Sequence, residues 1–75
     1  MDRELTFGEK AVGISLISGV NPDVSEIKAL YAQVIDKLNE LRGVDRNEKA
    51  RLLSVAITEA QGAQMWAIKG ATWQD

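Results

Sequence analysis

The sequence predicts an all-α fold: an antiparallel αα-hairpin with a short non-helical N-terminal arm, assembled as a homo-oligomeric helical bundle. Three observations lead there. Two long stretches carry apolar residues at alternating spacings of three and four, each opens on a capping residue, and together they hold more apolar side chains than one hairpin can cover.

The arm, residues 1–20, is broken by Gly8, Gly13 and Gly19, and its Ile14, Leu16 and Ile17 are apolar without helical spacing, so an extended conformation is expected. Helix one, residues 21–43, opens at Asn21-Pro22, an N-cap followed by the residue whose missing N–H costs nothing in a first turn. Asp23 and Glu26 add negative charge where the unpaired backbone N–H groups favour it. Val24, Ile27, Tyr31, Val34, Leu38 and Leu41 follow at spacings of 3, 4, 3, 4 and 3, a continuous apolar seam. Arg42 and Gly43 end the helix with a cation beside its last carbonyls and a residue free to turn left-handed.

Helix two, residues 45–73, opens at Asp45, with Glu48 placed to reach back in a capping box. Its seam is Leu53, Ala56, Ala60, Ala63 and Ala67, mostly alanine, which lets a partner helix approach closely. Val44 and its neighbours are the only connector, so the two seams face each other as a hairpin. Leu30 and Ile35 flank the first seam, while Leu52, Val55, Ile57, Met65, Trp66, Ile68 and Trp73 lie off the second. Each forfeits about 1.5–3 kcal/mol if left in water, so a second subunit is expected to cover them. A single domain of 75 residues supplies only ~3–5 kcal/mol from its own core. With no cysteine for a disulfide, and no cysteine or histidine for structural zinc, oligomerisation is the expected staple.

Nine basic and eleven acidic residues are interspersed, for a net charge of -2, so no global field attracts long nucleic acid. There is no apolar run of about 18 residues and no basic leader before an apolar stretch, so neither a membrane span nor a signal peptide is expected, and a cytosolic location is. Catalysis is poorly supplied. Histidine and cysteine are absent, G-x-S-x-G and G-x-x-x-x-G-K-[ST] do not occur, and Ser15, Ser18, Ser25 and Ser54 have no recognisable base. Asp36 with Glu40 reads as a solvated helix face. No enzymatic activity, metal or cofactor is expected.

Binding remains. Lys28 lies early in helix one and three residues before Tyr31, so an ammonium and a phenol can share a face near a helix N-terminus, suited to phosphate and a stacked ring. The alternative is a boundary lysine beside a core tyrosine. Lys69 ends the run Met65-Trp66-Ala67-Ile68-Lys69 on one stripe with Thr58, Gly62 and Met65; it either snorkels to solvent or holds an anion in an interface. Thr58, Glu59, Gln61 and Gln64 interrupt an apolar stretch and either pair across the oligomer or point to a ligand. In the arm, Phe7 and Lys10 offer one ring and one cation.

Three segments, FGEKAVG at 7–13, EIKALYAQVIDKLNELR at 26–42 and EKARLLSVAITEAQGAQMWAIKGATW at 48–73, resemble the anti-CBASS cyclic-nucleotide sponges, very small phage proteins whose helical hairpin is shared with phage anti-Thoeris sponges. The elements held in common are an apolar residue followed by lysine early in helix one, a Thr-acid-x-Gln element, here Thr58-Glu59-Ala60-Gln61, and a basic residue near the end of helix two, here Lys69. The resemblance implies a homo-oligomer, hexameric in known members, that sequesters cyclic oligonucleotides without cleaving them in the cytoplasm of the infected bacterium. It implies cyclic dinucleotides bound between subunits, with Lys28 on the phosphates and Phe7 stacked on a base. It also implies that Lys69 serves a second site for cyclic trinucleotides. Two other classes stay open: a protein–protein interaction module with no nucleotide ligand, and a nuclease or phosphodiesterase acting on the same messengers.

Overall fold

The structure, a computed structural model, describes residues 4–13 and 21–74. Among these residues it is all helical: α1 spans Phe7–Val12, α2 Pro22–Arg42 and α3 Glu48–Ala71. The arm is therefore not the non-helical segment expected. Thr6 caps α1 by accepting from the Glu9 N–H at 3.0 Å, and the Glu9 carboxylate accepts from the Thr6 N–H at 2.9 Å. This reciprocal capping box satisfies two N–H groups that a six-residue helix cannot pair internally. Gly13, at φ 71, closes the last turn. The expectation of extended chain at Ile14, Leu16 and Ile17 lies outside the described residues.

The α2 ends form where cap chemistry places them. Asn21 Oδ1 accepts from the N–H groups of Asp23 and Val24 at 2.9 and 3.3 Å, and Gly43 turns away at φ 59. The α3 start differs from expectation. Asn47 is the N-cap, its Oδ1 accepting from the Ala50 N–H at 2.9 Å. Asp45 is left exposed in the turn, and Glu48 pairs forward with Arg51 at 2.7 Å instead of reaching back. A cap must sit three residues before the N–H it serves, and a helix that begins at Glu48 gives that place to Asn47.

α2 and α3 pack antiparallel: Arg42 donates to Ser54 at 3.1 Å beside the turn, while Lys28 stands near Gln64 and Ile68 at the far end. The buried face of α2 is Val24, Lys28, Ala32 and Ile35, and that of α3 is Ala50, Ile57 and Gln64. This corrects the expected seam, since Val34 and Leu41 are 51% and 45% exposed while Ile35 is fully buried. The cause is α1, which lies across α2 at Ala32. Val12 joins Ala32, Ile35 and Ile57 in one core cluster. Ile35 and Ile57, expected to await another subunit, are thus covered within the chain, whereas Leu30, Leu52, Val55, Met65, Trp66 and Trp73 are exposed.

Polar contacts hold α1 at both ends. Asp36, expected on a solvated face, accepts from the Gly8 N–H at 2.7 Å. At the other end, Gln61 donates to the Ala11 carbonyl at 3.2 Å and Lys28 to the Gly13 carbonyl at 3.3 Å. Among the described residues no helix is long and apolar enough to cross a membrane.

Candidate ligand-binding groove

The three helices meet where α1 ends, α2 begins and the C-terminal half of α3 passes. Each contributes a lysine to one groove of about 500 Å³: Lys10, Lys28 and Lys69, together with Gln64 and an apolar floor from Met65 and Ile68. The helical period explains the convergence. Lys28 is one turn after the buried Val24, so its stem is carried inward and the residue is only 8% exposed. Gln64 is two turns after Ile57 on the inner face of α3 and is 5% exposed. Lys10 and Lys69 stand at the rim, both exposed.

The charge in the groove is one-sided. No carboxylate lines it. Among the described residues the ion pairs are Lys37 with Glu40 and Arg51 with Glu48, neither of which involves a groove lysine. The Lys28 ammonium donates to the carbonyl of Gly13, the residue that closes α1. An ammonium has three donors and that carbonyl takes one, which leaves capacity for anionic oxygens. Lys69 places its ammonium 5.4 Å from the centroid of the Trp66 ring, so an aromatic face adjoins the groove rim. A part-buried ammonium, two flanking cations and a buried amide have the charge and donors that suit a compact polyanion.

A second basic pocket lies at the turn, about 530 Å³, lined by Arg42, Arg46 and Arg51 with Asp45. Glu48 grips Arg51 with two hydrogen bonds at 2.7 and 2.9 Å, and Arg51 in turn holds the Glu48 carboxyl below its ordinary value. Arg42 is engaged by Asn39 at 2.6 Å and Ser54 at 3.1 Å. The charge of this pocket is thus partly cancelled by Glu48 and the Arg42 donors are partly committed, unlike the lysine groove. Among the described residues no group of three or more metal-ligating side chains converges.

Of the residues singled out from sequence, Lys10, Lys28 and Lys69 are brought together, and Phe7 and Tyr31 are not. Phe7 stands one turn before Lys10, 44% exposed, with the Arg42 guanidinium 5.5 Å from its ring centroid. Tyr31 packs against the core cluster and lines a separate shallow pocket of about 290 Å³ with Leu30 and Val34. The Lys28 and Tyr31 side chains therefore do not share the groove, although their spacing allowed it. Gln64, expected either to pair across the oligomer or to point to a ligand, joins the lysines in the groove, and Trp66 is the addition. Their sequence signals were a polar residue inside an apolar stretch and an indole off the seam.

No curated protein and no solved structure gives a match to the chain. The family described as Acb2/Tad1, hairpin domain, matches residues 20–72, which include all of α2 and α3 and leave α1 outside. A paired-helix unit of this kind is what the buried faces of α2 and α3 build, with the lysine groove at its open end. The chain belongs to the Acb2/Tad1 hairpin-domain family, the anti-CBASS and anti-Thoeris sponge family that its sequence resembles.

Proposed function

We propose that this protein is a phage immune-evasion sponge that binds cyclic oligonucleotide second messengers in the cytoplasm of the infected bacterium and withholds them from immune effectors without cleaving them. The observation that carries this is the convergence of Lys10, Lys28 and Lys69 on one groove that no carboxylate lines. A cyclic dinucleotide presents two phosphodiester charges on a compact ring, and charge-assisted hydrogen bonds from lysine to phosphate are its natural anchors. Lys28 is the principal phosphate ligand, Lys10 and Lys69 flank it, and Gln64 meets a polar edge of the ligand. Lys69 also serves cyclic trinucleotides. Phe7 and Tyr31 stand outside the groove of their own chain, so their rings reach a bound base from a neighbouring subunit. Nothing in the site suggests hydrolysis, since lysine, glutamine and apolar groups supply no base poised near neutral pH and no nucleophile.

Binding between subunits requires a homo-oligomer, a hexamer in this proposal. The exposed Leu30, Val34, Leu52, Val55, Met65, Trp66 and Trp73 support it. Those same residues favour a second reading, a protein-interaction module with no nucleotide ligand. One experiment separates them. Protein mixed with cyclic dinucleotide is freed of unbound ligand, heated, and the supernatant chromatographed. A sponge returns intact ligand, and Lys28→Met returns far less. A nuclease returns linear products, and an interaction module carries no ligand in either form.

A further inference from the structure

The face of α3 turned away from α1 and α2 is not a plain solvated surface. Val55, Glu59, Gly62, Trp66 and Lys69 follow at spacings of 4, 3, 4 and 3, with Trp73 four residues beyond, just past the helix end. This is the a/d period of a coiled coil, roughly half a turn around the helix from the buried Ala50, Ile57 and Gln64. Val55, Trp66 and Trp73 are 46%, 72% and 64% exposed. At the centre of the stripe is an apolar pocket of about 300 Å³, lined by Gly62, Met65, Trp66 and Lys69. A Cβ built on Gly62 meets nothing within 4 Å, so the gap is open from outside. Among the described residues neither Glu59 nor Lys69 has a carboxylate or ammonium partner.

The stripe is complementary to itself when reversed. An antiparallel pair of α3 helices, crossing beside residue 64, opposes positions whose numbers sum to 128: Val55 with Trp73, Glu59 with Lys69, and Gly62 with Trp66. Each layer then makes physical sense. The indole enters the gap left by glycine, carboxylate meets ammonium, and valine packs on the second indole. Each layer also sets an a position against a d position. A parallel pair in register would set Glu59 on Glu59 and Lys69 on Lys69, a repulsive arrangement.

We propose that two copies of the chain associate through this face, antiparallel and about a two-fold axis beside residue 64. The proposal rests on the homo-oligomer of the proposed function and adds the surface and its register. The contact is isologous, so every layer occurs twice, over about 24 Å of helix from Val55 to Ala71 at 1.5 Å per residue. Lys69 lines both this pocket and the lysine groove. Pairing therefore brings another subunit to the edge of the ligand site, and the Lys69 ammonium, with three donors, serves Glu59 of the second copy and the groove together.

Sedimentation of the purified full-length chain tests this. Glu59→Lys and Lys69→Glu should each raise the dissociation constant of self-association by about tenfold or more, because each sets like charges face to face. The doubly exchanged chain should recover, since its layers again oppose unlike charges. Gly62→Leu should weaken association while circular dichroism shows undiminished helix, because the new side chain has free space within its own chain. A wild-type chain that stays monomeric overturns the proposal, as does an oligomer whose mass none of these variants changes, or a double exchange no better than either single one. An oligomer indifferent to the variants that still binds cyclic dinucleotide removes this pairing and leaves the sponge reading intact. One that responds to them but binds no ligand supports the pairing and removes the sponge reading.

Discussion

Replacing Gly8 by alanine should destabilise this protein, although the same change in an ordinary helix interior gains about 1 kcal/mol from propensity. Gly8 lies inside α1 with no positive φ, so alanine meets no backbone penalty. The obstacle is contact. A Cβ there would lie 2.1 Å from the Ala32 carbonyl oxygen and 2.9 Å from both the Ala32 carbonyl carbon and the Asp36 Oδ1. The nearest of these is backbone and cannot swing aside, so α1 must retreat from α2 by about an ångström or more to reach normal contact. That stretches or breaks the 2.7 Å bond from the Gly8 N–H to Asp36, a bond to a charged acceptor of about 1.5–3 kcal/mol. It also lifts Val12, 4% exposed, from a core where full burial contributes about 1.5–3 kcal/mol. With about half of each lost and the propensity gain set against it, the net cost is about 0.5–2 kcal/mol. Urea unfolding gives the total, and hydrogen exchange at Ala11 and Val12 reports whether α1 has left its site. Gly70→Ala, where a Cβ meets nothing within 4 Å, is the control and should be neutral or stabilising by up to about 1 kcal/mol. Gly8→Ala as stable as the control, with α1 amides still protected, would refute the close-approach account.

Lys28→Met keeps most of the buried stem but removes the ammonium, so the oligomer should persist while cyclic dinucleotide binding weakens by about 1.5–3 kcal/mol in calorimetry. Asn47→Ala should cost about 1 kcal/mol through loss of the α3 cap, and Asp45→Ala should stay within about 0.5 kcal/mol, a contrast that thermal melts can resolve. Arg51 holds the Glu48 carboxyl below its usual 4.5 through their side-chain hydrogen bonds. Because the folded value is lowered, the stabilisation is complete above the unfolded value and fades as pH falls through the folded one. Carboxyl-carbon NMR on Arg51→Gln should therefore show Glu48 titrating closer to 4.5, with little change in overall stability because both side chains are exposed.

Local chemistry was the most legible layer. Asn21-Pro22 and Gly43 mark the ends of α2 in sequence because caps act over three or four residues, and the structure places them there. The capping box Thr6 to Glu9 was equally local and announces α1, but six residues carry too little periodicity to show as a helix, and glycine at position 8 argued for a break. That glycine serves close helix packing instead. Non-local consequences followed. With α1 on α2, the buried face turns to Ile35 and leaves Val34 and Leu41 outside, a rotation that spacing within α2 alone could not reveal. Asp36 likewise gained its partner from a residue 28 positions away. In the groove, Lys69 was legible as a cation among apolar residues, Lys28 as one sharing a helix N-terminus with Tyr31, and Lys10 as a cation of the arm beside Phe7. Their meeting was not, because it depends on α1 closing over the start of α2 and the end of α3.

Calorimetric titration of the wild-type protein with a panel of cyclic di- and trinucleotides, with its mass recorded in solution, tests the sponge assignment most directly. Tight binding of a cyclic dinucleotide at fewer than one ligand per chain, weakened by salt and by Lys28→Met, is the predicted result. A well-folded oligomer that takes up heat with none of these ligands would contradict it.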